Sequence, residues 1–209
     1  MNEKDLTLVK RLMEEVDEVK KDDPCPSILF DTSFTQIAKT NLLLLKGFLD
    51  IKDKKGYFVV LDRPHQYMAY LLHMHDVSQE NIWYIDTVTH MSGQEKVEGD
   101  NVDFVEGPFH IEKLFEAFKP KGENQSHFAS PEEIDFVLID NISSMLNYNS
   151  MDKVEDFIGS FRELIEESDA IVGGLVIDNE SHPELNEVIR KHLDKFIDIE
   201  DIKEELGYA

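Results

Sequence analysis

The segment Ser33-Phe34-Thr35-Gln36-Ile37-Ala38-Lys39-Thr40 has the spacing of a phosphate-binding loop, G-x-x-x-x-G-K-[ST], with both glycines replaced. In such a loop successive backbone N–H groups curl around phosphate oxygens, the lysine reaches the outer phosphates and the hydroxyl binds magnesium. Glycine serves there because it adopts positive φ and lets the backbone approach oxygen closely. Ser33 and Ala38 place a Cβ at each of those positions, and Phe34 adds bulk between them. Lys39 and Thr40 remain, with Thr35 and Gln36 inside the loop, so the segment is a candidate site for ATP and magnesium. The competing reading is a plain strand-to-helix turn that carries Lys39 and Thr40 on its first helical turn.

Two other segments end apolar runs in an acid. Phe136-Val137-Leu138-Ile139-Asp140 would set the Asp140 carboxylate at the end of a buried strand, where it could hold magnesium through water near the Thr40 hydroxyl. Acids are also common in turns at strand ends. Leu61-Asp62-Arg63-Pro64 offers Asp62 as a carboxylate that could activate water. Arg63 beside it would hold that carboxylate ionised, or bind an anion itself. The simpler alternative is a turn in which Pro64 opens the next helix. A third reading of the same residues is an anion or metabolite pocket lined by Arg63, Lys39 and Asp140, at the carboxyl ends of the strands.

The histidines show no metal-ligand spacing: His73 and His75 are two apart and point in different directions on a helix. Cys25 is the only cysteine, which excludes a disulfide framework and a thiolate cluster. Gly173-Gly174 falls inside a strand and reads as close packing rather than phosphate binding.

The elements that must position these residues follow from periodicity. Leu6, Val9, Leu12, Met13, Val16 and Val19 recur at helical spacing, so residues 1–24 form an amphipathic helix that ends at Asp22-Asp23-Pro24. Residues 25–209 then read as one α/β domain. Strands are expected at 28–30, 56–61, 81–86, 102–105, 136–140, 171–177 and 196–199. Helices are expected at 36–49, 65–75, 110–118, 151–167 and 183–193, with a polar loop over 119–130. Continuous apolar strands alternating with helices imply a mainly parallel sheet covered on both faces.

Charge narrows the partners. With 21 basic and 44 acidic residues the net charge is -23, which opposes a nucleic-acid phosphate backbone. No apolar run reaches the roughly 18 residues of a membrane span. The charged segment 1–20 has no apolar signal-peptide core, so a cytoplasmic location is expected.

These segments together resemble the RecA/KaiC-like P-loop ATPase superfamily, and more closely an archaeal KaiC-related group with degenerate Walker A motifs. The residues that carry the resemblance are Gly56 to Pro64, Ile82 to Asp86, Asp135 to Leu146, and Tyr148 to Ile158. It spans about residues 27 to 200. The resemblance implies a RecA-like twisted sheet and a tendency to form homo-oligomers. By position it aligns Lys39 and Thr40 with the phosphate lysine and magnesium hydroxyl, Asp140 with the Walker B acid, and Asp62 with the catalytic glutamate. The departures fall at the chemistry, since the loop lacks its glycines and the base position lacks its glutamate. The expectation is a non-catalytic domain acting through protein contacts or self-association, without ATP turnover. The alternative is a weak ATP binder or slow magnesium-dependent ATPase.

Overall fold

Seven parallel strands form one sheet in the order β4-β3-β2-β5-β6-β1-β7. They are β1 (Ser27–Thr32), β2 (Gly56–Val60), β3 (Ile82–Asp86), β4 (Val102–Phe104), β5 (Phe136–Ile139), β6 (Val172–Asp178) and β7 (Lys195–Asp198). The structure is a computed structural model that describes residues 1–93, 101–106, 113–114, 134–168, 171–178, 180–193 and 195–208. Of the helix expected at 110–118 only Lys113 and Leu114 are described, both helical, and the loop expected at 119–130 lies outside the described residues.

The central strands β1, β2, β5 and β6 are buried on two faces, because successive side chains point to opposite sides. Ile28, Phe30, Phe58, Val60, Phe136 and Leu138 face one core. Leu29, Tyr57, Val59, Val137 and Ile139 face the other. The first core is covered by α1 (Glu3–Asp22), α2 (Ile37–Lys46), α3 (His65–Met74) and the C-terminal α7 (Ile199–Glu205). The second is covered by α5 (Met151–Glu166) and α6 (Pro183–His192). A one-turn helix, α4 (Thr89–Ser92), follows β3.

The helix ends have local causes. The Asn2 side chain accepts the Asp5 N–H at 2.8 Å and caps α1, with Glu3 and Asp5 in its first turn and Lys20 and Lys21 in its last. Leu8, Val9, Leu12, Met13 and Val16 are buried against α2 and the sheet, so the N-terminal helix packs on its own domain. α2 ends in a single π-helical turn, Gly47–Ile51. α7 was not anticipated: Asp198, read as part of a strand, also caps the helix after it by accepting the Glu200 N–H at 2.8 Å.

Two glycines permit close strand contact. A Cβ on Gly56 would lie 2.3 Å from the Phe136 carbonyl oxygen, and one on Gly174 would lie 2.7 Å from Leu138. The close-packing reading of Gly173-Gly174 therefore holds, since a Cβ on Gly173 would also meet Ile165 at 2.7 Å.

Candidate functional site

β1, β2 and β5 end along one rim of the sheet, where an open α/β sheet offers a crevice to a ligand. A crevice there has a volume of about 190 Å³. Asn41 and Asp140, 2% and 6% exposed, form its deep side. Phe34, Asp62, Arg63 and Tyr67 form its solvent-exposed rim.

The candidate phosphate loop divides between two places. Thr35 and Ala38 line this crevice together with Asp62, Arg63 and Asp140. Ser33, Gln36 and Lys39 line a separate groove between α1, α2 and α7, with a volume of about 640 Å³. The division follows from helix geometry: Ala38 and Asn41 are three apart on one face, and Gln36 and Lys39 are three apart on another. Lys39 Nζ is bonded to Asp5 Oδ1 of α1 at 2.7 Å. Thr40 is buried and its hydroxyl lies 3.1 Å from the Thr32 hydroxyl. The α2 side chain bonded to Asp140 is Asn41, whose Nδ2 donates to the Asp140 carbonyl at 3.0 Å.

The backbone between β1 and α2 is a 3-10 turn, Phe34–Gln36. Gln36 N–H donates to the Ser33 carbonyl at 2.9 Å, and Ile37 N–H donates to the Phe34 carbonyl. Both donors are thus used within the turn. Among the described residues positive φ occurs at Asp53, Asp76, Gly93 and Gly207, so residues 33–40 have none. The alternating right- and left-handed residues that shape one common anion-binding concavity of successive N–H groups are therefore absent from residues 33–40.

Asp140 sits in an unusual electrostatic position. Burial pushes its carboxyl up to about 7, and the nearby charge of Asp62 adds to the effect. Backbone N–H groups of Leu61, Asp62 and Asn141 pull the other way, the Leu61 N–H at 2.9 Å from Oδ1. Asn41 Oδ1, also buried, has no hydrogen-bond partner among the described residues. At the rim, Arg63 Nε lies 3.6 Å from Asp62 Oδ2, and the guanidinium stands 4.7 Å from the centre of the Tyr67 ring.

Sequence reasoning missed Asn41, taken as part of an apolar helix. Its signal was a polar residue heading the run Leu42-Leu43-Leu44-Leu45. It also missed a buried junction around Asp86. Asp86 Oδ2 accepts from the His65 N–H at 2.9 Å and the Thr89 hydroxyl at 2.8 Å, with His65 Nδ1 at 2.7 Å. Asp86 Oδ1 accepts the Val88 and Thr89 N–H groups, each at 2.8 Å. Burial pushes this carboxyl up, but the His65 and Thr89 bonds outweigh it and hold Asp86 down at about 2. One carboxylate thereby fixes the starts of α3 and α4. No spacing along the chain announces a pair 21 residues apart.

No group of three or more His, Cys, Asp or Glu side chains placed to hold a metal occurs among the described residues. No described helix is long and apolar enough to cross a membrane.

No family model and no curated protein matches this chain. Among solved structures it is similar to a KaiC-like protein from the hyperthermophilic archaeon Pyrococcus horikoshii. That likeness covers 73% of this chain and 62% of the other, at 13% sequence identity and a TM-score of 0.48. The chain spans less than two thirds of that relative's length, and a likeness this distant carries nothing about the site.

Proposed function

We propose that this chain is a non-catalytic RecA/KaiC-like domain that acts as a regulatory or assembly module through protein contacts. The observation that carries the reading is the separation of Lys39 from Asp140. The cation is bonded to Asp5 in one groove, and the acid lies in another. The 3-10 turn supports it, because its Gln36 and Ile37 N–H groups are bonded internally.

The surface supports the protein-contact half of the reading. Tyr67, Tyr70 and Met74 recur at i, i+3 and i+7 on α3 and are exposed, Tyr70 by 60% and Met74 by 57%. Phe34, 58% exposed, shares the crevice with Tyr67. Contiguous exposed apolar side chains of this kind mark interaction surfaces. The partner is another protein or a second copy of this chain.

Titration with ATP, with and without magnesium, alongside Lys39→Ala tests the reading. No phosphate release above background across millimolar ATP is expected in either protein. Magnesium-dependent turnover that vanishes in Lys39→Ala would overturn it. A second reading, weak ATP binding or slow hydrolysis, is favoured by the placement of Thr35 and Ala38 in the same crevice as Asp140. It predicts tighter nucleotide binding in the double variant Ser33→Gly, Ala38→Gly.

A further inference from the structure

We propose that the crevice at the ends of β1, β2 and β5 receives an arginine side chain from a protein partner; this deepens the protein-contact reading and rests on it. Hydrogen-bond supply is the first reason. Asn41 is 2% exposed, lines the crevice and leaves Oδ1 without a partner among the described residues. A buried acceptor left unmet is costly, and a ligand that brings an N–H donor removes the cost. The exposed Asp62 carboxyl lines the same space and adds a charged acceptor at the rim.

Shape and charge select among donors. A guanidinium is planar, carries five N–H donors and stacks on aromatic faces. Phe34 and Tyr67 present such faces at the rim, and Tyr67 already holds the Arg63 guanidinium 4.7 Å from its ring centre. The volume of about 190 Å³ suits the head of one side chain. The chain's net charge of -23 steers basic partners toward it. Among the described lining residues Arg63 is the one cation, and it stands 3.6 Å from Asp62, where it competes with an incoming guanidinium for that carboxylate.

That competition makes the assignment testable. The full chain is titrated with Nα-acetyl-arginine amide, its neutral citrulline counterpart and pyrophosphate, followed by NMR chemical shifts of the crevice residues. Saturable binding of the arginine compound alone is expected. Asp62→Asn, at the exposed rim, should weaken it about tenfold by removing a charge-assisted bond. Arg63→Ala should tighten it. Asn41→Ala should weaken it too, but that change also removes the bond to the Asp140 carbonyl, so Asp62→Asn is the primary variant. Pyrophosphate binding lost in Arg63→Ala, equal binding of citrulline, or no saturable arginine binding would each overturn the assignment. Failure here in a protein silent toward ATP would remove this assignment alone. Turnover dependent on Lys39 would remove the reading beneath it.

Discussion

Lys39 Nζ lies 2.7 Å from Asp5 Oδ1, and this bond joins the first turn of α2 to the first turn of α1. The lysine of the candidate phosphate loop is therefore engaged by the N-terminal helix, outside the crevice that holds Asp140.

Removing that partner separates two accounts of the candidate phosphate loop. Lys39 is 46% exposed at its side chain, so Asp5→Ala should cost under about 1 kcal/mol of stability in a urea melt. ATP turnover should remain at background, because the turn before α2 still lacks its cradle. Turnover that appears in Asp5→Ala and disappears when Lys39→Ala is added would instead show that α1 restrains a working lysine.

Asp140 makes stability depend on pH in a direction set by its raised carboxyl. Its folded value of about 7 lies above the ordinary 3.8, so the folded state keeps a proton that the unfolded state has released. The contribution is fully present below about pH 3.8 and is lost as pH rises through 7. Asp140→Asn should be more stable than the parent at pH 8 by roughly 1–3 kcal/mol, with the advantage gone by pH 4. Denaturant midpoints at both pH values check this, and a variant weaker at pH 8 would contradict it.

Asp86 acts with the opposite sign. Its carboxyl is held at about 2, below 3.8, so its contribution is present above pH 3.8 and is lost as pH falls toward 2. Asp86→Ala should cost roughly 3 kcal/mol, since it leaves the buried His65 and Thr89 donors without their acceptor. It should also flatten the acid limb of the stability curve between pH 4 and 2. An acid limb unchanged by the substitution would place the sensitivity elsewhere.

Close strand approach at Gly56 sets a further test. A Cβ there would sit 2.3 Å from the Phe136 carbonyl oxygen, which is backbone of the neighbouring strand. Gly56→Ala should cost about 2 kcal/mol or more, by forcing β2 away from β5. Gly93→Ala, where no atom of the described residues lies within 4 Å but φ is +67, should cost only about 1 kcal/mol through backbone strain. Thermal melting of the two variants side by side gives the comparison.

What the sequence by itself determined was the order and type of the seven strands and of α1, α2, α3, α5 and α6. The strands were legible because parallel strands buried on two faces are continuous apolar runs, as in Phe136 to Ile139. α1 was legible from the spacing of its apolar face. Asp62, Arg63 and Asp140 share one rim because each follows the end of a parallel strand, whereas Lys39, grouped with Arg63 and Asp140 in the pocket reading, lies outside that crevice. α7 was not legible, because a short segment beginning Ile199 continues the apolar run of β7. Only the tertiary structure decided which way Lys39 points. On a helix each step turns the side chain about 100°, so one residue separates the crevice face of Ala38 from the α1 face of Lys39. Which face meets which neighbour depends on where α2 begins and how α1 packs on it. The same reason hid Asn41 and the His65–Asp86 pair: a buried polar group acquires its meaning from what surrounds it, and those surroundings come from distant parts of the chain.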